Sequence, residues 1–72
     1  MEHWKMKMAQ VMEIKDPRKA MVEMAQLVHS KNLDLTVLLE AMKAYQTKHG
    51  VGADEMMFDE NGERVLTEEM FL

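Results

Sequence analysis

From Asp16 to Gly50 the apolar residues recur at helical spacing. Met21, Met24, Ala25 and Val28 share one stripe, with Ala20 and Leu27 on its flank, while Glu23, Gln26 and Ser30 point the other way. Asp16 can cap free amide protons and Pro17 suits the first helical position, so the pattern predicts a helix over 17–31, ended by Lys31-Asn32. Asp34 opens the next. Leu35, Leu38, Met42 and Tyr45 then recur at steps of three and four, with Leu39 beside them, and His49-Gly50 closes a helix over 35–49. The short connection makes the two antiparallel.

The helix over 35–49 is apolar around most of its circumference. At about 100° per residue, Val37, Ala41 and Ala44 project away from the Leu35/Leu38/Met42 stripe. Only Thr36, Glu40, Lys43 and Thr47 form a polar strip. Such a helix is expected to be central and covered on two sides, either by its own chain or by a second copy. Val37, Ala41 and Ala44 are accordingly the candidate dimer seam. Ahead of this pair, Trp4, Met8, Val11 and Met12 share a helical face with Ile14 at its margin, which predicts a helix over 3–15. Trp4, Met6 and Met8 also alternate as a strand would, but over too short a span to outweigh the helix.

After Gly50 the period changes. Val51 to Asp54 reads as loop, and two short apolar-acidic runs flank Asn61-Gly62, the preferred pair for a type I′ turn. The expectation is a β-hairpin over 55–67 and a short terminal stub over 68–72. The whole chain, 1–72, then reads as a single α+β domain: three helices, the third central, with a C-terminal β-hairpin. The stretch from Lys31-Asn32-Leu33 to Tyr45, followed by Phe58-Asp59-Glu60-Asn61-Gly62, resembles the N-terminal domain of the NusA transcription factor in apolar spacing and one turn dipeptide. That resemblance implies a transcription-associated accessory factor and assigns no residue a role.

Charge divides the chain at the same point. Residues 1–49 carry eight Lys/Arg against six acids, a balance of +2, whereas 50–72 carry Arg64 alone against seven acids, a balance of −6. Threaded through those acids are Met56, Met57, Phe58, Val65, Leu66, Met70, Phe71 and Leu72. Purely solvated segments are poor in such groups, so these must be buried in the chain's own core or against a partner. The net charge of −4 disfavours non-specific binding to nucleic acid. The absence of cysteine excludes disulfides and removes the commonest structural-zinc ligands. No apolar run reaches signal-peptide or bilayer length, and a cytoplasmic protein is expected, with no membrane association. The ten methionines are most simply a methionine-tolerant core, since most fall on inward faces.

Candidate chemistry is sparse. His3, His29 and His49 do not stand one helical turn apart, as paired metal ligands on a helix do. A calcium loop around Gly62 would put Met57 at its first ligand position, and a thioether cannot serve as a hard oxygen ligand. No phosphate-cradling loop or nucleophile–base set accompanies the acids, so no enzyme, metal or cofactor is expected. The exposed strip of the 35–49 helix lacks the side chains that read base edges, so direct DNA binding is not expected. The leading expectation is a small acidic regulatory or adaptor protein, inhibitory in one version of the reading, that binds a protein bearing a basic, apolar groove. Its contact residues would be Met56, Phe58, Glu68, Glu69, Met70 and Phe71. The alternative is a self-assembling homodimer module built on the Val37/Ala41/Ala44 seam.

Overall fold

The computed structural model describes residues 3–68 and places four helices there: α1 (His3–Val11), α2 (Pro17–Ser30), α3 (Leu35–His49) and α4 (Ala53–Met57). No strand forms among the described residues, so the fold is all-α and the α+β expectation is corrected.

Local chemistry sets the ends of the long helices. Asp16 Oδ1 accepts from the Arg18 amide at 3.0 Å, and Asp34 Oδ1 accepts from the Thr36 amide at 3.0 Å. α2 closes through Asn32, whose φ of 52° is the one positive value at a non-glycine described residue. The Asn32 amide donates to the His29 carbonyl at 3.1 Å, and the Leu33 amide reaches back to Val28 at 2.9 Å. This paired closure satisfies two carbonyls left over at the helix end, and a short amide side chain tolerates the left-handed backbone it requires. α3 ends at Gly50, φ 67°, whose amide donates to the Gln46 carbonyl at 2.8 Å. α1 stops well short of residue 15. The Glu13 and Ile14 amides tighten onto Gln10 and Val11, each at 3.0 Å, and Asp16 is extended because it precedes proline.

α2, not α3, is the central helix. It packs against α1, α3 and α4 and buries Ala20, Met21, Met24, Ala25, Leu27 and Val28, whereas α3 buries only Leu38, Ala41 and Tyr45. Leu27 lies toward α1, with Val11 and Ile14, and Ala25 and Val28 lie toward α3 and Leu66. The buried stripe of α3 is therefore rotated from the predicted one. Ala41 takes the place in the core expected of Leu35, which is 63 % exposed. Met21, Met24 and Met56 are fully buried and Met8 nearly so, while Met6 is 68 % exposed. Unbranched thioethers fill the irregular space where the helices converge on α2.

The segment predicted as the first arm of a hairpin begins as helix. The Glu55 carboxylate accepts from the Gly52 amide at 2.7 Å, and Asp54 and Glu55 in the first turn suit the positive helix end. A helix of five residues cannot stand alone. It is held because Met56 is buried in the core. Beyond it, pairing shrinks to one antiparallel bridge, Phe58 with Arg64, flanked by Asp59 N–H to Glu63 carbonyl at 2.8 Å and Val65 N–H to Met57 carbonyl at 2.8 Å. Asn61-Gly62 does turn the chain, but only Gly62 has positive φ, 78°, so the turn is not type I′. Asp59 organises a longer loop. Its carbonyl accepts from the Gly62 amide at 3.0 Å, and its Oδ1 accepts from the Asn61 and Glu63 amides at 2.8 and 2.9 Å. The expected stub over 68–72 lies, apart from Glu68, outside the described residues.

Candidate functional site

The C-terminal half of α3 clamps the α1–α2 connection. The Tyr45 hydroxyl donates to the Ile14 carbonyl, and His49 Nε2 meets the Met12 carbonyl at 2.7 Å. A carbonyl only accepts, so Nε2 carries the proton. The two rings stack with centroids 4.1 Å apart, and Lys48 Nζ pairs with Glu13 Oε1 at 2.5 Å. The hydrogen bond and charge of Lys48 hold the Glu13 carboxyl below the usual carboxylate range, while burial pushes the Tyr45 hydroxyl up. These polar groups face backbone or one another and fasten α3 to the α1–α2 connection. Among the described residues no three His, Cys, Asp or Glu side chains are grouped to hold a metal ion, and no helix is long and apolar enough to cross a membrane.

Among the described residues, the contact residues expected from sequence do not form one surface. Met56 is fully buried in the core and is unavailable to a partner. Phe58 is 43 % exposed, and its carbonyl accepts from Arg18 Nε at 2.9 Å, which ties it to the first turn of α2. Leu66 instead lines a groove together with Val28, near the last turn of α2. Exposed Phe58 and half-buried Leu66 are thus held toward opposite ends of that helix. Glu68 is exposed. Glu69, Met70 and Phe71 lie outside the described residues. Nor do the seam residues form an uncovered face. Ala41 is buried, Val37 half-buried and Ala44 exposed, and all three line a groove of about 360 Å³ opposite Trp4 and Met8 of α1 and Met12 just after it. Lys5 and Glu40 give this groove charges of both signs, and Lys5 Nζ lies 5.7 Å from the centroid of the Trp4 ring.

A second groove, of about 390 Å³, was missed by the sequence reading. It opens where α2 ends and α3 begins, between Ala25, Val28, Leu33, Leu35, Leu38 and Leu66, with His29 and Asn32 as the polar part of its rim. On its α3 side Leu35 is 63 % exposed, and one turn further on Leu39 is 49 % exposed. Its sequence signal was the breadth of the α3 apolar arc, which one buried stripe cannot use up. The Asn32 closure creates the groove by folding Leu33 back over Val28. Comparison of the chain with protein-family models, with curated proteins and with solved structures finds no match in any of the three.

Proposed function

We propose that the protein is a small binding module that engages another protein through the Leu35/Leu39 ridge and the groove beside it. The observation that carries this reading is the exposure of those two leucines, 63 % and 49 %, one turn apart beside an apolar groove. A ridge next to a groove suits an amphipathic helical segment of the partner, which can lay its apolar face along both. The acids of the C-terminal arm support a partner with cations beside its apolar face. Glu68, exposed, follows the groove residue Leu66 by two positions. In this reading the carboxylates steer encounter and the leucines set residence time.

The test is calorimetric titration with a synthetic helical peptide carrying a leucine stripe flanked by lysines. Leu35→Ser with Leu39→Gln removes the apolar contact without changing charge, and both replacements suit exposed helix positions. Weakening by at least about tenfold is expected, equivalent to about 1.4 kcal/mol. Unchanged affinity, with helix content intact, would overturn the reading.

Self-association is a second proposal, favoured by the opposite charges in the α1–α3 groove. In a two-fold pair, Lys5 of each copy can meet Glu40 of the other, with Trp4 and Ala44 between them. Sedimentation of the wild type against Glu40→Lys tests it. A monomer–dimer equilibrium weakened by the substitution is expected, and a wild-type monomer at all concentrations would exclude it.

A further inference from the structure

We propose that Asn61 is a site of spontaneous covalent modification, losing its side-chain amide to attack by Gly62, and that the Asp59 loop sets the rate. The chain has two asparagines, Asn32 and Asn61. Attack on an asparagine side chain comes from the backbone nitrogen of the next residue, so that neighbour decides how readily it happens. Leu33 follows Asn32 with a branched side chain, and its amide is bound to the Val28 carbonyl at 2.9 Å. Gly62 follows Asn61 with no side chain to obstruct the approach. Both residues are exposed, and a Cβ built on Gly62 would meet nothing within 4 Å. In the reaction the Gly62 nitrogen bonds to Asn61 Cγ, and its proton leaves with the side-chain nitrogen as ammonia, which closes a cyclic imide. Water then opens either imide carbonyl, giving aspartate or isoaspartate. No oxidant or cofactor takes part.

The fold restrains the first step. The Gly62 amide donates to the Asp59 carbonyl at 3.0 Å, and Asp59 Oδ1 accepts from the Asn61 and Glu63 amides on either side at 2.8 and 2.9 Å. A nitrogen held in that bond is not free to turn onto Asn61 Cγ, so attack waits on local opening of the loop. The two products differ for the arm. Aspartate keeps the backbone unchanged, whereas isoaspartate lengthens the main chain by one carbon between the two amides that Asp59 holds. The second product therefore disturbs the loop that leads to Leu66 at the groove.

The test is incubation of the full chain at mildly alkaline pH, followed by peptide mapping with mass spectrometry that separates aspartate from isoaspartate at positions 61 and 32. Wild type in buffer is compared with Asp59→Ala in buffer and with wild type unfolded in guanidinium chloride. In the unfolded chain, conversion at Asn61 is expected to run well ahead of conversion at Asn32. In the folded wild type, conversion at Asn61 is expected to be at least about tenfold slower than in the unfolded chain, because only the open loop reacts. Asp59→Ala is expected to speed it at least about fivefold over folded wild type with no gain at Asn32, since the loop opens and the helices do not. Conversion at Asn32 first, or none at Asn61 in the unfolded chain, would overturn the site. Equal rates in folded and unfolded wild type, an unchanged rate in Asp59→Ala, or a parallel gain at both asparagines would overturn the control by the Asp59 loop.

Discussion

The Tyr45 hydroxyl donates to the Ile14 carbonyl across 31 residues of sequence, and this bond fastens α3 to the connection between α1 and α2. Tyr45 is fully buried, and the Ile14 carbonyl belongs to a stretch where regular helical bonding has ended. Removing the hydroxyl therefore leaves a carbonyl short of a partner. Tyr45→Phe is expected to cost about 1–3 kcal/mol in a urea melt.

The same burial gives an alkaline signature. Tyr45 has its pKa raised in the fold, so between its unfolded and folded values the native state holds a proton that the unfolded chain has lost. Stability is then full below the unfolded pKa and falls as pH rises through the folded one. Melting temperature followed upward from about pH 10, the ordinary tyrosine value, is expected to decline in wild type and to decline less in Tyr45→Phe. Parallel curves would remove this assignment.

Core and ridge residues of α3 separate by depth. Leu38→Ala is expected to cost ~2–5 kcal/mol through lost transfer energy and a cavity. Leu35→Ser, at an exposed position, is expected to change stability by no more than about 0.5 kcal/mol. Similar urea midpoints for the two variants would contradict the helix phase described here.

How far these features are legible in sequence differs by element. α2 and α3 are readable because Asp16-Pro17, Asp34 and Gly50 mark their ends chemically, and the six apolar positions read on α2 are all buried. The facing of α3 is not readable, because an apolar arc that wide fits several rotations. Contact with α2 decides it, choosing Ala41 over Leu35. The hairpin failed for a related reason. Asn61-Gly62 signals a turn but not the length of the arms, and the burial of Met56 draws the first arm into α4. The groove depends on the left-handed backbone of Asn32, which a lone asparagine does not announce.

The loop makes its own prediction. Asp59 Oδ1 takes two amides, so Asp59→Ala is expected to loosen the arm and speed amide exchange at Asn61 and Glu63. Gly62→Val should strain the positive φ, whereas Asn61→Asp should be nearly silent because Asn61 does not use one. Equal effects of the last two substitutions would mean that the turn is built differently.

Charge in the arm is expected to act on rates. Glu68→Lys with Glu69→Lys should slow association of the lysine-flanked leucine peptide and flatten its salt dependence, with little change in dissociation. Stopped-flow association at two ionic strengths measures both. An unaltered association rate would remove the steering role from these carboxylates.

The central claim is the place of docking, and amide shift mapping on the full-length chain tests it most directly. Titrating the isotopically labelled protein with that peptide is expected to move the amides of Leu33, Leu35, Leu39 and Leu66 most, because they border one groove and its ridge. Largest shifts along Trp4 to Met12 and at Ala44, largest shifts around Phe58, or no shifts at saturating peptide would contradict the account.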